Sequence, residues 1–475
     1  MRKFIARFRQ APMFSTVYIL GAALSVASVM LVAIFLHVKT SNIYPEYSRD
    51  KLLYNTAIAL QFEDNTISGE FSPVLASTII DSIGDIANVA LESYPDKSVS
   101  VYVDGKKFEN IKIKSATPGI FSVYDYEFIE GQPFPPETTE LLAVISDNLA
   151  RKIFGMDRNV VGRKFRSSEF STGYFGRMSS TNTDFTVCGV FKEGSRLLPL
   201  SFAEIISPVN LNLLIEQYNH PGESDYDKGD LYKIVGDLNI ITLPKSGVSK
   251  EEVTSRINEA IAREATTPKE WIRHTRVYYY GDDGVTGTVI DHVELQPGEY
   301  QLTTGAGPRG ALEMNLGEPH MFAEFDYAGF MKLYGLIVMV LLLVPALNLS
   351  SLISGNMDSK MSEMGIRKAF GARNSTLLRQ VVNENLWLTG CGAILGIILA
   401  WVGVLLWKEW LFAGIGSEEG SLSASDVMLD PAMLFAPKVF IAAVIICVIL
   451  NLLSSLIPAW WALRRPAIDA IKAKS

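Results

Sequence analysis

Residues 361–380 read MSEMGIRKAFGARNSTLLRQ, a basic and patterned stretch lying between two long apolar runs. The segment from Asp358 to Phe370 has a helical pattern, with Met361, Met364 and Ala369 towards one side and Lys360, Glu363 and Arg367 on others. Gly371 stands where a helix stops, and Arg367 and Lys368 fall in the last turn, where cations suit the helix dipole. Asn374 and Ser375 are good N-caps, so a new helix is expected to begin there and run through Leu377, Val381 and Leu386 into the next apolar run. The connector therefore reads as a short helix, a glycine break, and a helix continuous with the apolar segment that follows. Two roles fit those residues. One is a basic anchor lying on the lipid surface; the other is a docking helix for a cytoplasmic partner, joined rigidly to a membrane span.

The apolar runs decide the fold class. A bilayer-crossing helix needs about 20 mostly apolar residues, and the runs 13–38, 333–353, 386–407 and 439–463 meet that requirement. Arg2, Lys3, Arg7 and Arg9 precede the first run, as they would in a signal peptide. That run is too long for a signal core, however, and His37 and Lys39 follow it without a small-residue cleavage site, so an uncleaved anchor is expected. Lys and Arg concentrate in the stub 1–12, the connector 354–385 and the tail 464–475, whereas the loop 408–438 holds Glu409, Glu418, Glu419, Asp426 and Asp430. The bias of basic residues towards the cytoplasm then places both termini and the connector inside, and residues 39–332 and 408–438 outside. The expected fold class is an integral membrane α-helical protein with four transmembrane helices. A large α+β external domain, residues 39–326, is inserted between helices 1 and 2.

Composition agrees with this division. The 475 residues are 48% hydrophobic, with a mean hydropathy of +0.19 and a formal net charge of −8. Residues 39–326 carry 27 Lys and Arg against 42 Asp and Glu, so the external block is strongly acidic and the rest of the chain net basic. No large basic surface exists to neutralise phosphates, which argues against nucleic acid as a partner. Of three cysteines, Cys391 and Cys447 lie in apolar runs, leaving Cys188 alone in the external block, where no intrachain disulfide framework is possible.

Within the external block, 97–105 alternates as a strand and ends in an Asp-Gly turn, and 141–155 reads as a buried strand feeding a helix that stops at Gly155. Residues 183–193 and 231–244 read as further strands. Ser249 and Glu252 form a capping box for a helix over 249–265, with Val253, Ile257 and Ile261 on one face. Two lobes are expected, with 167–184 as a mobile polar loop. Catalytic chemistry is hard to find. His37, His220, His274, His292 and His320 are scattered without metal-ligand spacing, no G-x-S-x-G elbow occurs, and Asp282-Asp283 reads as a turn more readily than as a cation site. A membrane-anchored enzyme is therefore a poor fit. No G-x-x-x-x-G-K-[ST] run occurs either, so any ATP used must be bound by another chain.

The connector resembles the cytoplasmic segment of the MacB/FtsX-type (type VII) ABC transporter permeases, whose pattern is close to R-x-x-E-[IM]-G-I-R-[KM]-A-x-G-A-[RS]. Lys360, Glu363, Met364, Gly365, Ile366, Arg367, Lys368, Ala369, Gly371, Ala372 and Arg373 follow that pattern, with Lys360 where arginine is commoner. The end of the fourth run, from Ile457 to Ile471, is similar to the family's P-A-x-x-A-x-x-x-x-P ending, its second half one residue shorter. Residues 116–134, 143–155, 160–166 and 185–193 resemble the MacB-like periplasmic core in order and spacing, while 194–325 match nothing in particular. MacB carries its own ATPase domain, and this chain shows none.

The resemblance implies a permease that transmits ATP-driven motion to its periplasmic domain for export or envelope-substrate handling. An FtsX-like scaffold that regulates a periplasmic partner enzyme is the alternative. It implies a bacterial inner-membrane location, a cytoplasmic ABC ATPase docked on the eleven connector residues, and a second permease chain of like or unlike sequence. Membrane lipid and a periplasmic adaptor or substrate protein complete the expected partners. No cofactor is expected on this chain, since ATP and magnesium would be bound by the ATPase. Two features of the spans agree with transmitted motion. Pro345 removes a helical hydrogen bond and allows a bend, and Gly392 and Gly396, with Gly390 nearby, give the third span a small-xxx-small face for close helix contact. Asn348, Asn451 and Ser454 suit interhelical hydrogen bonds, and no acidic or basic residue lies in the heart of any span, which argues against an ion path.

Overall fold

The computed structural model describes residues 12–62, 65–93, 98–136, 138–156, 158–172, 178–219, 235–266, 275–280, 287–293, 300–304, 308–310, 313–314, 367 and 370–412, with single residues and short helical pieces between 326 and 340 and between 437 and 456. The chain divides into two units: Lys39–Phe325 with 415–420, and the remaining segments 1–38, 326–414 and 421–475.

Helix α1 (Pro12–Thr40) leads through a turn, with a 3-10 segment at Arg49–Lys51, into β1 (Leu53–Asn55), β2 (Ile58–Phe62), β3 (Asn65–Phe71), α2 (Pro73–Ile83) and β4 (Ala87–Ser93). Next come β5 (Ser98–Val103), β6 (Lys106–Ala116), the single turn α3 (Ile120–Val123), β7 (Phe128–Gly131), β8 (Leu142–Ser146), α4 (Asp147–Phe154), β9 (Lys164–Thr172), β10 (Met178–Phe191) and β11 (Ile205–Pro208). The unit continues with α5 (Leu211–Asn219), β12 (Val235–Gly236), β13 (Leu238–Pro244), α6 (Lys250–Thr266), the separate hairpin β14 (Thr275–Tyr280) and β15 (Gly287–Val293), then β16 (Tyr300–Thr303) and β17 (Arg309–Gly310).

One lobe is built on the strand order β4-β13-β3-β2-β16. Here β3 and β4 are joined through α2, and β13 lies between them, antiparallel to both, with Leu238 opposite Phe71 and Ser93. Both helices cover this sheet for a reason visible in their sequences. Ser72 caps α2 by accepting from the Leu75 amide (3.1 Å), and Leu75, Ile79 and Ile83 recur on one face; α6 offers Val253, Ile257 and Ile261. These side chains share a core with Leu60, Leu91 and Ile240. The Ser249 hydroxyl accepts from the Glu252 amide (3.1 Å), as a capping residue should.

The second lobe closes on itself. Strands run β6-β11-β8-β10-β9-β5 and back to β6, because β11 pairs in parallel with β6 (Ile205↔Ile113) and antiparallel with β8 (Ile205↔Ile145). Closure of this kind removes free edges. Val101, Ile111, Ile145, Phe165, Val187 and Ile205 fill one core with Leu149 and Ile153 of α4. Helix α4 starts where Ser146 accepts from the Leu149 amide (3.1 Å) and stops at Gly155, left-handed at φ +73°, whose amide donates to the Arg151 carbonyl. The Ser146 hydroxyl also donates to Glu193 (2.5 Å). Ser146→Ala should therefore cost about 1–2 kcal/mol, read as a lower urea midpoint for the outer unit.

One expectation fails here. The stretch 167–184 is not a loop but a β-hairpin, β9 pairing with β10 from Arg166↔Asp184 to Thr172↔Met178, with 173–177 outside the described residues. The ladder is formed by backbone groups. A stretch of Ser, Thr, Asn and Gly shows no alternation of apolar and polar residues that would betray it. The other strand expectations hold: β5 ends in the turn Asp104-Gly105, both at positive φ, and β10 covers 183–191. Residues 231–234 and Asp282-Asp283 lie outside the described residues.

In the other unit, α1 and a helix α7 (Asn374–Phe412) are the two described helices long and apolar enough to cross a membrane, over Ser15–Thr40 and Ser375–Leu406. A shorter apolar helical stretch covers Phe440–Ile449. Of the expected span 333–353, residues 333, 335–337 and 339–340 are helical, and the rest of it, with much of 439–463, lies outside the described residues.

Candidate functional site: the connector and its helix pair

The connector ends as a helix should. The Ala372 amide donates to the Arg367 carbonyl (3.0 Å) across Gly371, which is left-handed at φ +88°. That six-residue closure with glycine at the left-handed position is the Schellman stop. A β-carbon at Gly371 would meet no steric neighbour, so backbone conformation, rather than space, makes glycine the fitting residue there.

Helix α7 begins at Asn374, one residue earlier than an Asn374 cap would give. The cap position falls on Arg373, whose carbonyl accepts from the Thr376 (3.0 Å) and Leu377 (3.3 Å) amides. The Arg367 guanidinium then reaches over the break and donates to Gln380 Oε1 (2.9 Å). The end of one helix is thus tied to the second turn of the next. Phe370, at the tip of the break, is 88% exposed. Of the connector residues singled out in the sequence, Arg367, Gly371, Ala372 and Arg373 are described. Lys360, Glu363, Met364, Gly365, Ile366, Lys368 and Ala369 lie outside the described residues, as does Pro345.

From this break α7 runs uninterrupted to Phe412, presenting a buried stripe of Leu377, Val381, Asn385, Thr389, Ala400 and Val404. Its small residues face α1 closely. A β-carbon built on Gly392 would lie 2.6 Å from Ala22 Cβ and 3.0 Å from the Ile19 carbonyl oxygen; one on Gly396 would lie 2.6 Å from the Ala23 carbonyl oxygen and 2.7 Å from Val26 Cβ. Gly390 meets nothing within 4 Å among the described residues. The Tyr18 hydroxyl and Thr389 Oγ1, both buried, share a hydrogen bond of 3.1 Å. An interhelical bond in lipid is worth about 0.6 kcal/mol on average, so close packing rather than this bond dominates the pair. Sequence patterning overlooked three features: the exposure of Phe370, the Arg367–Gln380 tie and the Tyr18–Thr389 bond. Only Tyr18, a polar tip in an apolar run, offered a signal.

The external unit holds a different kind of polar group. Lys114 Nζ donates to Glu92 Oε2 (2.7 Å) and to the Leu200 carbonyl (2.5 Å), and both side chains are at most 2% exposed. Burial pushes the Glu92 carboxyl above its ordinary range, and Lys114 opposes that rise without cancelling it. Among the described residues no group of His, Cys, Asp and Glu is arranged to hold a metal ion.

Comparison with known proteins reaches both units. The model for the MacB-like periplasmic core domain matches residues 15–260, and that for the FtsX-like permease C-terminal domain matches residues 335–467. No curated protein matches the chain. Among solved structures, a domain assigned to a permease protein from Porphyromonas gingivalis is 19% identical (TM-score 0.31), covering 45% of this chain and 84% of its own. The periplasmic region of MacB from Actinobacillus actinomycetemcomitans is 13% identical (TM-score 0.28), covering 44% and 84%. The extracellular domain of the ABC-type transporter YknZ from Gram-positive bacteria is 16% identical (TM-score 0.27), covering 45% and 96%.

Proposed function

The chain belongs to the permeases that carry a MacB-like periplasmic core domain and an FtsX-like C-terminal domain, and from that premise we propose that it is a mechanotransmitting subunit driven by an ATPase on a separate chain. One observation carries the reading: the connector is not a tether. It ends in a glycine stop, is tied back by Arg367 to Gln380, and passes at once into an unbroken apolar helix from Asn374 to Phe412. Helices transmit displacement because every backbone group is held within the segment. A push on the connector therefore moves α7 and, through Gly392 and Gly396, the α1 helix packed against it.

In this reading four spans cross the inner membrane, with both termini and the connector cytoplasmic. The acidic domain is periplasmic, and two permease chains associate side by side. The docking surface comprises Lys360, Glu363, Met364, Gly365, Ile366, Arg367, Lys368, Ala369, Gly371, Ala372 and Arg373. ATP and magnesium stay on the ATPase, whose closure supplies the motion; the cargo is handled outside. Phe370 joins this surface, because a nearly fully exposed aromatic side chain beside a helix stop has the form of an interface anchor.

The test is co-purification of the full chain from native membranes, with mass spectrometry identifying the ATPase. Glu363→Lys or Gly365→Trp should abolish ATPase recovery while the chain still inserts, and Phe370→Ala should lower recovery about tenfold or more. Unchanged recovery in the first two variants would sink the docking role.

A further inference from the structure

The chain leaves α1 at Thr40 and enters the outer unit through residues 41–52, and one side of this entry is buried while Asn42, Tyr47, Asp50 and Lys51 face solvent. Tyr44, Glu46, Arg49 and Leu52 are at most 5% exposed. Glu46 is its centre. One carboxylate oxygen accepts from Arg49 Nε (2.5 Å), and the other accepts from the Ser201 hydroxyl (2.6 Å). Beside it, the Pro45 carbonyl accepts from the Asp125 amide (2.9 Å), and the Tyr44 hydroxyl donates to the Lys192 carbonyl and accepts from the Glu127 amide (3.2 Å). These partners lie between α3 and β7 and just beyond β10, on the side of the closed lobe.

The other lobe is engaged as well. Strand β1, which follows directly, pairs with β13 through Leu53↔Thr242 and Tyr54↔Ile241. Leu52 and Tyr54 pack in a third core that takes Ala90 and Ile241 from one lobe and Val144, Phe191 and Ile206 from the other. A simple linker needs no buried carboxylate. Retaining one costs desolvation, which is offset here by two hydrogen bonds to the charged group. An arrangement this specific selects one conformation of the entry segment.

We propose that residues 43–52 form a coupling joint that fastens the outer end of α1 to both lobes where they meet. A displacement of α1 then reaches both lobes together instead of being absorbed by a flexible tether. The joint gives the transmission reading above its periplasmic end point, and it rests on that reading for its purpose but not for its rigidity.

Hydrogen exchange on the full chain in lipid nanodiscs tests it. Peptides covering 43–52 should be protected to the level of β6. Ser201→Ala should accelerate exchange in 43–52, and Glu46→Gln should accelerate exchange in 195–207, each by about tenfold, because coupling between two sites is reciprocal. Exchange of 43–52 at the rate of an unstructured peptide, or effects confined to the substituted segment, would overturn the joint. In the complex with its captured ATPase, ATP with vanadate should change exchange in both segments. A Gly-Ser-Gly-Ser insertion after Thr40 should erase that response while leaving protection and ATPase capture intact. An insertion variant that responds like the native chain, or a native complex that hydrolyses ATP without any response, would also overturn it. Failure to capture an ATPase counts against the docking role alone, and the measurement without ATPase still decides the joint.

Discussion

Lys114→Met is expected to destabilise the outer unit by about 3–5 kcal/mol at neutral pH, the cost of leaving a buried carboxylate without its partner. Glu92 and Lys114 are at most 2% exposed and 2.7 Å apart, so no water can replace the ammonium group. The Leu200 carbonyl would lose its donor as well. Urea unfolding of the full chain in detergent, followed at the outer unit, reads the loss as a lower midpoint. The double variant Glu92→Leu with Lys114→Met should recover most of it, since the uncompensated charge is then gone. A double variant as unstable as the single one would show that shape, not charge, holds this position.

The pH dependence of the single variant has a definite sign. Burial already raises the folded-state pKa of Glu92 above its ordinary value with Lys114 present, and removing Lys114 removes an influence that lowers it. A carboxyl whose pKa is higher folded than unfolded binds more protons in the folded state. Stability then falls as pH rises from the unfolded towards the folded pKa. The Lys114→Met defect should therefore be largest at neutral pH and shrink on acidification, as Glu92 becomes neutral. A defect that deepens on acidification would contradict this account.

Gly396→Leu is the second large effect. Its β-carbon would fall 2.6 Å from a backbone oxygen of Ala23 and 2.7 Å from Val26 Cβ, neither of which is the yielding tip of a flexible side chain. Overpacking of this kind costs about 1–3 kcal/mol, and contact with backbone places it at the upper end. The two helices must separate or shift register. The full chain in detergent should lose heat stability, with Gly396→Ala milder but still impaired. ATPase recovery should be unchanged, because the connector is untouched. ATP-driven change in the outer unit should be lost. That split separates the helix pair from the docking surface, where the connector variants lose recovery itself. A Gly396→Leu chain with native heat stability would show that α1 and α7 do not pack closely in the membrane.

Much of this was legible along the chain because it depends on neighbours in sequence. Gly371 stops a helix through its own backbone, and the Ser249 hydroxyl reaches the Glu252 amide three residues on. The β9–β10 hairpin was not legible, since its polar residues carry no alternation and its ladder is made by backbone. The start of α7 at Asn374 agrees with the sequence, and only the cap falls elsewhere, on Arg373, whose carbonyl accepts the first amides of the helix.

By itself the sequence determined the apolar runs, the charge asymmetry between segments, and the glycine stop of the connector with the helix that follows it. Composition and short-range spacing suffice for those. Only the tertiary structure decided that Gly392 and Gly396 meet α1 rather than lipid, and that Glu46, Arg49 and Ser201, like Glu92 and Lys114, are buried partners. Read singly, each of those charged residues belongs on an acidic, solvated surface. The Glu46–Ser201 and Glu92–Lys114 contacts depend on where segments distant in sequence come to lie, and no local pattern encodes that.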